Sequence, residues 1–225
     1  SNISVLDENS NKDAAIVSTQ RDLIAGEVSK DIARRKLIPT DILEAHDSGA
    51  IHFHDMDYII QPMFNCCLIN LEDMLTNGTV INGKKIDTPK SFQVACTVTT
   101  QIIAQVASGQ YGGQSINGID RILAPFVRKS YEKILNNVIE EQVEIYGMEP
   151  NMEKAREIAW KRTRKEVKDG IQTIQYQINT LMTTNGQSPF VTLFMYFQPD
   201  YEYAKEAALI TCLLYTSPSP RDGAT

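Results

Sequence analysis

The stretch IHFHDMDYIIQPMFNCCLINLEDM, residues 51–74, concentrates chemistry that the rest of the chain lacks. It holds His52 and His54, two of only three histidines, followed by Asp55, Asp57 and the vicinal thiols Cys66 and Cys67. Three uses fit these types. His-x-His beside carboxylates begins the metal site of some hydrolase barrels, but such a site draws further histidines from later strands, and none follows His54. Alternatively the imidazoles hydrogen-bond to Asp55, Asp57 or backbone while the cysteines pack as small hydrophobes. The third use is redox or radical work: a thiol with the ordinary pKa of about 8.5 is protonated at neutral pH and can give up a hydrogen atom, or a proton with electrons.

Composition narrows the setting. A chain of 225 residues can bury a sizeable core as one domain or two small ones. Its net charge of −6 argues against a nucleic-acid partner, since phosphate binding needs clustered Lys and Arg, and the basic run KRTRKEVK reads as a solvated helix face. No run has the length and apolarity of a membrane span or of a signal peptide, so the expected location is the cytoplasm. Four cysteines, two adjacent, make no disulfide framework. Neighbouring α-carbons about 3.8 Å apart would strain a Cys66–Cys67 bond, so free thiols are expected.

The elements that must position these groups are legible from periodicity. A capping box of Thr19 with Asp22 and apolar residues at Leu23, Val28, Ile32 and Leu37 predicts a helix ended by Pro39. A second helix is capped by Thr40 and stopped at Gly49. Strict alternation in AIHFHD predicts a half-buried strand with Ile51 and Phe53 on one face and both histidines on the other. NGTVINGKKIDTPKS reads as a short hairpin. Thr88 as N-cap and Pro89 at the first helical position start a helix carrying Ala95, Val98, Ile102 and Val106, with Cys96 in core register. Beyond the loop GQYGGQSING, apolar pairs over residues 119–146 predict a long amphipathic helix with Pro125 inside it. A third long helix is expected from about Asn151 to Thr184, and SPFVTLFMYF reads as a strand buried on both faces of a parallel or barrel sheet. The final helix, DYEYAKEAALIT, runs into LLYTSPSPRDGAT, whose Ser-Pro repeats cannot pack. That tail resembles a translated sequencing-adapter read, so the expected division is native sequence over residues 1–211 and a foreign tail over residues 212–225.

Seven segments in order, TQRDLIAGEVSKDIA, AHDSGAIHFHDMDY, FNCCLINLEDMLTNG, IDTPKSFQVA, AQVASGQYGG, LAPFVRKSYEK and NTLMTTNGQSPFVT, resemble the anaerobic (class III) ribonucleoside-triphosphate reductases, glycyl radical enzymes, across roughly residues 7–197. The resemblance implies an α/β fold, the first half of a ten-stranded α/β barrel, with long helices forming a homodimer face. It also implies reduction of ribonucleoside triphosphates to deoxyribonucleoside triphosphates. In that chemistry a glycyl radical near the C-terminus generates a thiyl radical on a finger-loop cysteine, and a second thiol faces the ribose. A radical-SAM activating enzyme installs the radical, and formate or a dithiol is the reductant.

By the same resemblance the facing thiol is Cys66, the first cysteine of NCC. His52, His54 and Asn65 fall at substrate-contacting positions, with Asn185, Gln187 and Ser188 as further contacts entering a strand. Asp87, Gln101 and Lys133 match a pocket for a deoxynucleotide or ATP effector; a lysine suits phosphate and a carboxylate can accept from ribose or base. The finger-loop cysteine, the zinc-binding cysteines, the radical glycine and the ATP-binding cone that precedes this point in many members have no counterpart in these residues, so an inactive fragment is expected. A His-x-His metallohydrolase fragment and a non-catalytic dimeric nucleotide-binding module are the alternatives, and no metal ligand is assigned.

Overall fold

The structure is a computed structural model and describes residues 16–147, 149–181 and 189–217. Seven helices and five short strands are described: α1 Val17–Ile32, α2 Thr40–Asp47, β1 Cys67–Ile69, α3 Leu71–Thr76, β2 Thr79–Ile81, β3 Lys84–Ile86, α4 Phe92–Ser108, β4 Gln114–Ile116, α5 Ile119–Glu140, α6 Met152–Thr180, β5 Val191–Leu193 and α7 Ala204–Thr216. Both α1 and α5 end in a π-helical turn, over Ala33–Leu37 and Glu141–Ile145.

Strands β1, β4 and β5 form a parallel sheet with β4 in the centre, in the register Cys67↔Gln114↔Val191 and Ile69↔Ile116↔Leu193. Parallel neighbours need helical crossovers, and α3 with α4, then α5 with α6, supply them. These helices and α7 seal one sheet face around a core of Leu71, Leu75, Phe92, Cys96, Ile103, Ile116, Leu123, Ile171 and Ile210. The other face is open: Leu68 is 69% exposed and Thr192 is exposed, while Ser115 between them is only partly covered. The strand expected to be buried on both faces is therefore a three-residue edge strand with one covered side. Phe190, Phe194, Tyr196 and Phe197 flank it exposed, and among the described residues no further strand covers them.

Helix α6 crosses α4 at Gly170, where a Cβ would meet the Phe92 ring at 2.6 Å and Cys96 Sγ at 3.0 Å. A partly buried polar knot ties α4, α5 and α6 together. The Phe92 N–H donates to Ser130 Oγ at 2.8 Å, Ser130 Oγ donates to Glu166 Oε1 at 2.8 Å, and the Gln93 N–H reaches the same carboxylate. The first amides of α4, which have no partner within the helix, are thus satisfied from neighbouring helices. Its cap is Ser91, which accepts from the Val94 N–H, and not Thr88, whose hydroxyl donates to Thr76 O. The start expected at Thr88 is late because Pro89, Lys90 and Ser91 run from the hairpin without helical bonds.

Two other caps also differ from expectation. Thr19 lies buried inside α1, which starts at Val17 after Ile16, and Thr40 is the first residue of α2 after Pro39; neither helix has a side-chain cap. The hairpin forms as expected: β2 pairs antiparallel with β3 through Asn82-Gly83, both at positive φ (50° and 75°), the signature of a type I′ turn. Helix α6 is capped by Asn151, which accepts from the Lys154 N–H. Helix α7 continues through Thr216, with Leu213 and Leu214 packed against the core, an Arg128–Glu206 ion pair of 2.5 Å to α5 and Lys205 over the Trp160 ring of α6.

Candidate functional site

The histidine segment is not a strand. Residues 51–55 are a bend and turn with no ladder partner, so alternation alone does not make it a sheet element. Hydrophobic anchors fix it: Met56 is buried with Ala33 and Ile38, and Phe53, Ile42, Leu43 and Ile59 pack around them. Asp55 sits in the left-handed region at φ 55°, a conformation that Asp tolerates better than most residues. Close approach of α1 at Gly26, 3.5 Å from Asp57 Cβ for an added Cβ, backs the short 3₁₀ turn Met56–Tyr58.

The geometry gathers all three histidines. His46 lies in the last turn of α2, and Gly49 at φ 77° turns the chain back so that the Phe53 N–H donates to His46 Nδ1 at 3.2 Å. The ring centroids of His46 and His52 are 5.6 Å apart, and those of His52 and His54 are 5.7 Å apart, edge to face. His54 Nδ1 lies 2.5 Å from Asp55 Oδ2, and the Tyr111 hydroxyl donates to that same oxygen. Tyr111 stacks on Tyr58, with centroids 4.5 Å apart and planes 8° from parallel. Burial, with the nearby Asp22, Asp57 and Asp55 charges, pushes the Tyr58 phenol up to about 12; burial and then the Asp55 carboxylate push Tyr111 up as well.

Tyr111 also joins this turn to the thiol segment, since its N–H donates to Phe64 O at 3.2 Å. Next to it, an added Cβ on Gly112 would overlap the backbone and side-chain oxygens of Asn65, and one on Gly113 would meet the Phe190 ring at 2.7 Å. The Cys67 N–H donates to Gly113 O, which sets the sheet register. Cys66 is exposed at the entry end of β1 and donates a long bond to Asn65 Oδ1, 3.5 Å from sulfur. Side chains alternate along a strand, so with Cys67 half-buried toward the helices, Cys66 shares the open face with Leu68.

The two halves of the opening motif thus adjoin through Tyr111, and Cys66 has its described hydrogen bond with Asn65. All four cysteines are free, and burial, with the Glu166 charge, drives the Cys96 thiol well up. Asn185, Gln187 and Ser188 lie outside the described residues, a few positions before β5 begins at Val191. Asp87, Gln101 and Lys133 are each exposed, directly after β3, on α4 and on α5. His46, Tyr111 and Gly112 were not singled out from sequence. Adjacent glycines just before a strand are a signal of close backbone approach, and Gly112-Gly113 carried that signal. Among the described residues no three His, Cys, Asp or Glu side chains are placed to hold a metal ion.

Fold and site define a mixed α/β, mostly helical unit that seals one face of a parallel sheet and presents a thiol beside a histidine turn on the other. The chain belongs to the anaerobic ribonucleoside-triphosphate reductase family, whose model matches residues 8–218. It is 50% identical over 192 residues to the anaerobic ribonucleoside-triphosphate reductase of Salmonella typhimurium, covering 85% of this chain and 26% of that protein. Against the enzyme of the same name from Enterobacteria phage T4 it is 44% identical, covering 85% of this chain and 30% of the relative. The chain therefore spans between a quarter and a third of the relatives' length. The fold is similar to that of the anaerobic ribonucleotide reductase from Thermotoga maritima in complex with dATP and CTP. The TM-score is 0.58 at 15% identity, over 88% of this chain and 34% of that one. No helix among the described residues is long and apolar enough to cross a membrane.

Proposed function

We propose that this chain is the N-terminal part of the catalytic domain of a cytoplasmic enzyme that reduces ribonucleoside triphosphates to deoxyribonucleoside triphosphates by thiyl and glycyl radical chemistry. The observation that carries the reading is the placement of Cys66: an exposed thiol, free of any disulfide, at the entry end of a parallel sheet, on the face the helices leave open. Parallel sheets are ordinarily covered on both faces. A closed ten-stranded barrel, of which β1, β4 and β5 are the first strands, turns that open face into an interior where Cys66 meets ribose.

Replacing the 2′-hydroxyl by hydrogen and releasing it as water consumes two electrons and two protons. Formate leaving as carbon dioxide, or a dithiol closing to a disulfide, supplies the electrons, while the Cys66 S–H stands opposite the 2′-carbon. His52, His54 and Asn65 hold ribose or phosphate oxygens, with Asn185, Gln187 and Ser188 as further substrate contacts. The radical glycine, the cysteine it oxidises and the zinc site belong to the remainder of the protein. Asp87, Gln101 and Lys133 bind the deoxynucleotide or ATP effector at a homodimer face built on the long helices.

The test is the full-length enzyme, activated by its radical-SAM partner and supplied with ribonucleotide and formate. Cys66→Ala should abolish deoxynucleotide formation while substrate still binds; turnover surviving the substitution would refute the assignment. Titration with deoxynucleotides should give weaker effector binding for Lys133→Ala, by about tenfold for a lost phosphate contact, with substrate reduction intact at saturating effector.

A further inference from the structure

The carboxylate of Asp55 accepts from the Tyr111 hydroxyl, and His54 Nδ1 lies 2.5 Å from that same oxygen. An ionised carboxylate only accepts, so the ring nitrogen facing it carries the hydrogen. The Asp55 oxygen is itself fixed, by a left-handed backbone at φ 55° and by a Tyr111 ring clamped flat against Tyr58. His54 has the opposite nitrogen free and 68% of its side chain exposed. His46 provides the internal contrast: its Nδ1 accepts the Phe53 N–H, so its hydrogen resides on Nε2.

We propose that Asp55 and Tyr111 are positioning residues that lock His54 in the Nδ1–H tautomer and aim its bare Nε2 as an acceptor toward a substrate hydroxyl. The hydroxyl rests on the reductase reading above; the tautomer lock rests on the Asp55–Tyr111 geometry alone. Such second partners set which nitrogen of an imidazole does chemistry, as the carboxylate does for the histidine of a hydrolytic triad. The arrangement also gives Tyr111 a second task besides its backbone bond to Phe64: one residue holds the thiol segment and the histidine turn at a set separation.

With only three histidines, the chain suits heteronuclear NMR of ¹⁵N-histidine. At about pH 8.5, roughly two units above the ordinary imidazole pKa, His46 should report Nε2–H and His54 Nδ1–H. Asp55→Gly relieves the left-handed backbone while deleting the carboxylate and should move His54 to Nε2–H, the tautomer free imidazole favours. Tyr111→Phe preserves the stack on Tyr58 and should lower the Nδ1–H population. Nε2–H on His54 in the unmodified chain, or an unchanged Nδ1–H signal in Asp55→Gly, overturns the proposal; should Asp55→Gly not fold, an unchanged signal in Tyr111→Phe does so. None of these signals needs turnover, so a full-length enzyme that failed to reduce ribonucleotides would sink the reductase reading and leave the tautomer result standing. If both hold, Tyr111→Phe in that enzyme should raise KM with a smaller change in kcat, since the lost alignment is of a binding acceptor.

Discussion

Gly112 lies so close under Asn65 that the smallest side chain would overlap both the backbone and the side-chain oxygen of that residue. The thiol segment is thus seated on a glycine 47 residues further along the chain, and the position of Cys66 depends on a hydrogen atom where any other residue has carbon.

Gly112→Ala must push the Asn65–Cys66 backbone outward, and overpacking of this kind costs about 1–3 kcal/mol. A lowered denaturation midpoint, with faster alkylation of Cys66 than of Cys212, is the expected result, because both thiols are exposed but only one rests on this contact. Unchanged stability would show that the Asn65–Cys66 backbone can move aside without cost.

Gly170→Ala drives a methyl into the Phe92 ring and Cys96 Sγ at the crossing of α4 and α6. Alanine is intrinsically better than glycine within a helix by about 1 kcal/mol, so the sign of the change decides which effect wins. Rigid neighbours 2.6–3.0 Å away predict net destabilisation, read as an earlier urea midpoint. A stabilised variant would mean that Phe92 can move aside.

Ser130→Ala removes the acceptor of the Phe92 amide and the donor to Glu166 in one step. Stranding a buried N–H costs about 1–3 kcal/mol. Beyond the stability loss, amide exchange at Phe92 should accelerate selectively over residues in the centre of α6; uniform acceleration would point to global loosening.

Alkaline pH should destabilise the fold in a defined window. Cys96, Tyr58 and Tyr111 have ordinary values of 9.0, 10.0 and 10.0, and burial raises each in the folded chain, Tyr58 to about 12. Raised values favour the neutral forms, so their contribution is complete below about pH 9 and is lost as pH climbs toward and past 12. Unfolding midpoints should be level with respect to these groups up to pH 9 and then fall. Cys96→Ala should delay the onset of that fall, and an identical profile in the variant would clear the buried thiol of any part in it.

Much of the helical frame was legible. The hairpin turn at Asn82-Gly83, the core register of Cys96 and the long amphipathic runs in α5 and α6 all follow from local chemistry and the 3.6-residue period. The caps were less so: Thr19, Thr40 and Thr88 each have the right side chain, yet Ile16, Pro39 and Ser91 occupy the capping positions. A cap depends on where the preceding chain leaves the helix axis, and hydroxyl groups near a helix start are not unique to one position. The strand expected at AIHFHD failed for a related reason. Alternation reports which side chains are buried, and the anchors Phe53 and Met56 satisfy it without any neighbouring strand.

By itself the sequence determined the family, the helix order and the clustering of imidazole and thiol groups within residues 51–74, because each is written in local pattern or in motifs met in order. Tertiary structure alone decided that β1, β4 and β5 are parallel with one face open, that Cys66 stands on that face, and that Tyr111 reaches Asp55 from 56 residues away. Such pairings come from helices closing over a shared core and from glycines that admit a second backbone, and neither leaves a periodic trace between residues so far apart in the chain.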